Sequence, residues 1–418
     1  MAEVTTEVTM AGDGITILHA SDFQLDVPLG GVRWIPEAIK QELLDAPRSA
    51  AQRVFDSAVT RQVDALVLTG NLVAPERATA ASLDFIQSEL LRMEQNGIAV
   101  IWATGTMDSI TQWPRCMRWP ESLIRFDAGT AQRRMLTLGG REIEVLGTGC
   151  DQSGIVQPEW FAGLSRGDPA LVVCGGALAN HPQDPSVPLW LLGSCRHASA
   201  EAVGDSMLVH SGTPQGRDLH ESGLHGAQLI TMNDRIECSM IQCADVIYER
   251  IHLNAGPIED LDDLEMQLLH QCESRGWDAS QRRLVQWHVD GCEDSPLVRD
   301  TDPAFIDWQT NLGNDSTLTQ AGVFSLGVAV SCRDATVNAE QGADLLGDYL
   351  FTLEALRENG WEGIELGSVG CNDGVPPDWA RIEEDLAGLR TLQCAARLGE
   401  LLLGSETTAG DSHQEEAA

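Results

Sequence analysis

Lysine is almost missing from this 418-residue chain: Lys40 stands alone, and the other 26 basic residues are arginines. Bases of either kind are scarce against 63 acidic residues, and the net charge is −36. The deficit is uneven, −13 over residues 1–250 and −23 over residues 251–418. A field of that sign repels phosphate backbones and anionic lipid surfaces, so neither direct nucleic-acid binding nor membrane association is expected. Long apolar runs are also absent, none approaching the roughly 18 residues of a membrane helix. The start, Met-Ala-Glu-Val-Thr-Thr-Glu, has neither the basic nor the apolar region of a secretory leader, and a cytoplasmic location is expected. No CxxC pair occurs among the eleven cysteines, and their odd number and irregular spacing read as scattered reduced thiols rather than a disulfide framework or zinc site.

What is present is an ordinary globular composition, 43% hydrophobic and 22% charged, in a chain long enough for two or three domains. From Gly14 the pattern alternates. Ile15–Ala20 is a short apolar run, 36–62 is helix-rich with a break expected at Pro47, and 63–69 is apolar again. A helix over 78–96 closed by Gly97 and an apolar run over 98–104 complete a βαβαβ order, the signature of a largely parallel sheet covered by helices. Short strands follow at 142–146, 170–174, 189–192, 207–210, 228–232 and 236–242, which predicts a second sheet stacked on the first in a layered α/β sandwich.

Near residue 254 the character changes to an acidic amphipathic helix, about 257–275, with strands at 283–290 and 322–332 and helices near 344–358 and 379–403. The expected organisation is a short disordered segment 1–13, a sandwich domain 14–253, an acidic α+β accessory domain 254–403, and a polar, acidic, disordered tail 404–418.

In such sheets functional groups gather in loops leaving the carboxyl ends of strands. Four of these loops form a series: Ser21-Asp22-Phe23-Gln24, Gly70-Asn71-Leu72-Val73, Gly105-Thr106-Met107-Asp108 and Gly193-Ser194-Cys195-Arg196-His197, with Ser211-Gly212-Thr213-Pro214-Gln215-Gly216-Arg217 beyond them. Their order and spacing resemble the calcineurin-like metallophosphoesterase superfamily, in its DNA repair exonuclease branch of the SbcD and YhaO type. That resemblance implies a site of two Mn²⁺ or similar ions, which activate water and neutralise phosphate in an in-line displacement. It also implies a coiled-coil ATPase as partner.

The motifs are degenerate. Asp22 keeps a carboxylate; Gln24 stands where the resemblance implies a histidine, and Asn71 where it implies the aspartate bridging both metals. Thr106 and Met107 replace an asparagine ligand and a histidine acid, while Asp108 remains. Gly175 falls at a lone-histidine position, and Ser194 and Arg196 take the places of the last two histidines. A guanidinium never deprotonates and places a fixed positive charge beside a cation site. If any metal position survives, it is Asp22 with Asn71.

Three functions follow: an inactive metallophosphoesterase serving as scaffold or regulatory subunit, an active phosphodiesterase or DNA exonuclease with a reduced metal site, and an adaptor whose acidic second domain binds a basic or ATPase partner. The first and third are favoured together, because function resides in the site and not in the fold. Without metal no cofactor is expected. Arg196 is expected to pair with Asp22 in place of the missing cations. Arg217 is expected to bond backbone carbonyls and His197 to be a satisfied or exposed histidine rather than a ligand, while the spacings of His210, His220 and His225 suit neither one helical face nor a known ligand set.

Overall fold

The computed structural model describes residues 14–31, 37–161, 170–180, 187–233, 235–254, 260–277, 280–290, 303–313 and 315–331. The expected terminal segments and the helices near 344–358 and 379–403 lie outside these residues.

Two six-stranded sheets form the body. The first is built from β1 (Ile15–Ala20), α1 (Glu37–Arg61), β2 (Ala65–Leu68), α2 (Ala80–Gln95), β3 (Ala99–Ala103) and β4 (Ile124–Phe126). The chain then enters the second sheet with β5 (Gln132–Leu138), β6 (Arg141–Thr148), the short β7 (Ile155–Val156), β8 (Ala170–Cys174), the short β9 (Ala177–Leu178), β10 (Leu189–Leu192), β11 (Ser199–Val203) and β12 (Ser206–His210). It returns to the first sheet through β13 (Gly226–Met232) and β14 (Ile236–Gln242). Strand orders are β14-β13-β1-β2-β3-β4 and β11-β12-β10-β8-β6-β5, with β7 and β9 as a separate pair. Within each sheet the central neighbours, β1–β2–β3–β4 and β6–β8–β10–β12, are parallel.

Alternation along each strand produces the layers. Ile15, Ile17, Ala65, Val67, Ile101 and Ala103 face Val145, Leu171, Val173, Leu189 and Leu191 between the sheets. Their neighbours Leu18, Ala20, Leu66, Leu68, Val100 and Trp102 face Val54, Phe55, Ile86, Leu90 and Met93 of the helices. Successive side chains of a strand point to opposite faces, so a continuous apolar run is what a sheet covered on both sides requires.

The expected break at Pro47 does not occur: α1 runs through it for 25 residues. A mid-helix proline costs about 3 kcal/mol, and here burial on both sides of it offsets that cost. Ile39, Leu43 and Ala46 pack against Val246, Tyr248, Leu284 and Phe324, whereas Ala50, Ala51, Val54, Phe55 and Ala58 pack on the first sheet.

The residues that Ile39, Leu43 and Ala46 meet come from a three-stranded sheet, β15-β16-β17, made of β15 (Val246–Asn254), β16 (Arg282–Asp290) and β17 (Val323–Ser331). Helices α3 (Leu261–Ser274), α4 (Pro303–Leu312) and α5 (Ser316–Gln320) accompany it, and all but the last residues of its strands belong to the same compact unit as the sandwich. The expected boundary at residue 254 coincides with the last residue of β15, whose sheet continues into β16. Asp260 caps α3 by accepting from the Asp263 amide, three residues later than Pro257. No described helix is long and apolar enough to cross a membrane.

Candidate functional site

Where β1, β2, β3 and β10 end, their loops meet. The Asp22 amide donates to the Gly70 carbonyl at 2.9 Å, the Gln24 amide to the Asn71 carbonyl at 2.9 Å, and the Cys150 amide to the Thr104 carbonyl at 2.9 Å. The approach is close: a Cβ on Gly175 would lie 1.9 Å from the Thr104 carbonyl oxygen, so glycine is required where the loops touch. Five described non-glycine residues have positive φ, and four of them are Asp22 (55°), Gln24 (43°), Asn71 (56°) and Ser194 (55°). Left-handed backbone at such residues costs of order 1 kcal/mol or more and persists only where surrounding contacts fix it. Contacts between the loops therefore fix this backbone.

The interior of these loops is a hydrogen-bond network. The Asn71 side-chain amide donates to Asp22 Oδ1 at 2.8 Å, and its carbonyl oxygen accepts from the Met107 amide at 3.0 Å and the Thr106 hydroxyl at 3.1 Å. Asp108, fully buried, accepts from the Gly105 amide at 2.6 Å on one oxygen and the Leu72 amide at 3.1 Å on the other. Burial pushes its carboxyl up to about 6, against the pull of those amides. Burial also raises the Asp22 carboxyl, opposed by the polar groups of Asn71, Ser21 and Gln24. Ser194 donates to the Gly175 carbonyl at 3.4 Å.

The structure brings Asp22, Gln24, Asn71, Thr106, Met107, Asp108, Gly175 and Ser194 to one end of the sandwich. It does not join Arg196 to Asp22. Arg196, half exposed, instead pairs with the buried Glu221 at 3.0 Å. Asp22 has little need of a guanidinium, because the Asn71 amide already satisfies one oxygen and burial favours the neutral form.

Several further residues complete the site. Arg217 donates to the carbonyls of Val27 at 2.7 Å, Gln24 at 3.2 Å and Phe23, as expected of a bond to backbone rather than to an anion. Thr213 donates to Glu221 at 3.0 Å and lies 2.9 Å from His225 Nδ1, while His225 Nε2 lies 2.9 Å from the Glu221 carbonyl oxygen. His225 is thus a satisfied histidine, and His220 is exposed. Beneath the loops, His19 Nε2 is 2.9 Å from the Thr69 hydroxyl. Burial, with His210 nearby, lowers its imidazole to about 3. The strings around Ser21 and Pro214 carried these residues, but only the fold shows Arg217 reaching back to the first loop.

The donor set does not fit a dinuclear metal centre. Asp22 Oδ2 is the one buried carboxylate oxygen here without a hydrogen-bond partner among the described residues. Both Asp108 oxygens and the Asn71 oxygen are taken by N–H and O–H donors. Among the described residues no group of three or more His, Cys, Asp or Glu is placed to hold a metal.

Stacked mixed sheets with this crest of strand-end loops make a layered α/β sandwich. No family model matches the chain. It is 23% identical over 267 residues to an uncharacterized metallophosphoesterase, YhaO, of Bacillus subtilis (strain 168), a match covering 60% of this chain and 65% of that relative. Among solved structures, a dimetal phosphatase from Danio rerio is 8% identical, covering 55% of this chain and 99% of its own, with a TM-score of 0.34. A predicted phosphoesterase from Streptococcus pneumoniae TIGR4 is 16% identical, covering 56% and 91%, with a TM-score of 0.27. The chain resembles a metallophosphoesterase over 60% of its length.

Proposed function

We propose that this chain is a catalytically inactive metallophosphoesterase of the DNA exonuclease type that acts as a scaffold or regulatory subunit. One observation carries the reading: Asn71 donates to Asp22 where a metal-bridging carboxylate would have to accept cations. A neutral amide hydrogen-bonded in that sense neither holds two ions together nor activates water, and hydrolysis loses its nucleophile and its charge neutralisation together. The positive-φ loops support the same reading, since they preserve a cradle whose donors now bond to each other.

The family resemblance supplies the kind of partner, a coiled-coil ATPase, and the net charge of −36 argues against unaided DNA binding. We place the protein in the cytoplasm, where its cysteines stay reduced; the seven described ones are unpaired. The deciding experiment is metal analysis of the purified chain alongside a Mn²⁺-supplemented phosphodiesterase assay. The expected result is no stoichiometric metal and no metal-dependent hydrolysis. Two metal equivalents per chain, or an activity abolished by Asp22→Ala, would establish the active reading with a reduced site.

A further inference from the structure

The outermost strands β4 and β5 lie at the same side of the sandwich, and among the described residues each pairs with one neighbour only, β3 and β6. Between them opens a cleft of about 450 Å³ with two kinds of wall. Trp119, Pro120, Leu123 and Ile124 are apolar; Arg125, Asp127, Gln132 and Arg134 are polar. We propose that this edge docks an extended acidic segment of a protein partner, added as a strand beside β5 with the carboxylates of alternate residues facing the cleft.

Backbone geometry identifies the free groups. Gly139 and Gly140, with φ of 55° and 77°, form a two-residue turn that makes Leu138 and Arg141 the closing pair of the β5–β6 hairpin. Hydrogen-bonded and non-bonded pairs alternate in an antiparallel ladder, so Arg133, Met135 and Thr137 direct their N–H and C=O groups outward. The Arg134 guanidinium lies on the outward Arg133 carbonyl at 3.0 Å, where a strand partner would otherwise bond. At seven residues β5 is long enough to template an added strand.

Charge selects the occupant. Residues 111–141 hold six arginines and two acidic residues, a basic island in a chain of net charge −36. Arg134 has no ion pair among the described residues. Arg125 stacks over Trp119 with its guanidinium carbon 5.7 Å from the ring centroid. Its Nε stands 3.7 Å from Asp127, and both atoms are buried without a hydrogen-bond partner. A carboxylate facing the cleft would pair with the guanidinium groups of Arg125 and Arg134, which line it. A nucleic acid strand meets the arginines but offers no N–H and C=O row for β5.

This inference rests on the reading of the chain as a binding subunit and names its surface; metal analysis tests that reading separately from the titration below. The probe is a fluorescein-labelled peptide of alternating aspartate and valine, about twelve residues long, followed by anisotropy against the full chain. A lysine–valine peptide and an oligothymidylate serve as comparisons. The expected result is micromolar affinity for the acidic peptide alone, weakening as salt rises. Arg125→Glu with Arg134→Glu should weaken it at least about tenfold, and Arg141→Glu, on the neighbouring strand, much less.

Met135→Pro removes an outward N–H without touching the β5–β6 ladder and should abolish binding. Thermal melts verify that each variant is folded, and the two act on different groups, so misfolding of one leaves the other informative. Absence of binding into the millimolar range, charge-reversed variants that bind like the parent, or preference for oligothymidylate would overturn the proposal. So would binding that survives Met135→Pro; edge arginines that only discourage aggregation would give the first of these results.

Discussion

Asn71 donates its side-chain amide to the Asp22 carboxylate at 2.8 Å, and both residues hold left-handed backbone at facing strand ends. The family resemblance would put a second, metal-bridging carboxylate at position 71. Here one member has become the donor that the other needs, and the loops close without an ion.

Asn71→Asp tests that substitution of roles. It sets two buried carboxylates against each other and removes the donor, so the variant should lose about 2 kcal/mol or more at neutral pH. The loss should shrink on acidification as one carboxyl takes up a proton and again donates. Urea denaturation at pH 7 and near pH 4.5 measures both; equal losses at the two values would show that charge is not the cause.

A double-mutant cycle separates the two carboxylates that compete for Arg196. With its side chain half exposed, Arg196 should couple to Glu221 by only about 0.5 to 1 kcal/mol, screened by solvent. Coupling of Arg196 to Asp22 should lie within about 0.3 kcal/mol of zero. A larger Asp22 coupling would restore the pair expected from sequence.

Arg217 is the brace of the first loop, since its guanidinium holds the carbonyls of Phe23, Gln24 and Val27. Arg217→Ala strands those carbonyls and should cost about 2 to 4 kcal/mol. Arg217→Lys should recover little, because a single ammonium cannot span three carbonyls set for a planar fork. Denaturant midpoints of the two variants decide it, and a fully stable lysine variant would mean that charge alone suffices.

Those residues also show where sequence reading reached and where it stopped. Strand ends at Ala20, Cys174 and Leu192 were legible because fully buried strands are continuous apolar runs bounded by glycine or small polar residues. β5 was not: Gln132–Leu138 reads Gln-Arg-Arg-Met-Leu-Thr-Leu, an edge strand whose outer residues are polar. β11, Ser199–Val203, is exposed along most of its length and escaped for the same reason. The eight strand-end positions were found from motif order, which survives when side chains change. Their new partners were not, because Arg196 with Glu221 and Arg217 with the loop of Phe23 depend on how distant turns meet, which no local pattern encodes.

Two buried groups near the loops should pull the stability profile in opposite directions between pH 4 and pH 6.5. The His19 imidazole is lowered from 6.5 to about 3 by burial and by His210, so the folded state binds fewer protons than the unfolded one in that range. Its contribution is complete above pH 6.5 and is lost as pH falls toward 3. The Asp108 carboxyl is raised from 3.8 to about 6 by burial, so the folded state binds more protons. Its contribution is complete below pH 3.8 and is lost as pH rises through 6. Each group can change the slope by up to about 1.4 kcal/mol per pH unit. Asp108→Asn should therefore steepen the rise of stability with pH between 4 and 6, whereas His19→Leu should flatten or invert it. Chemical denaturation of the parent and both variants across that range gives the three slopes. Parallel curves would mean that neither group changes its proton affinity on folding, and that the polar layer beneath the loops is open to water.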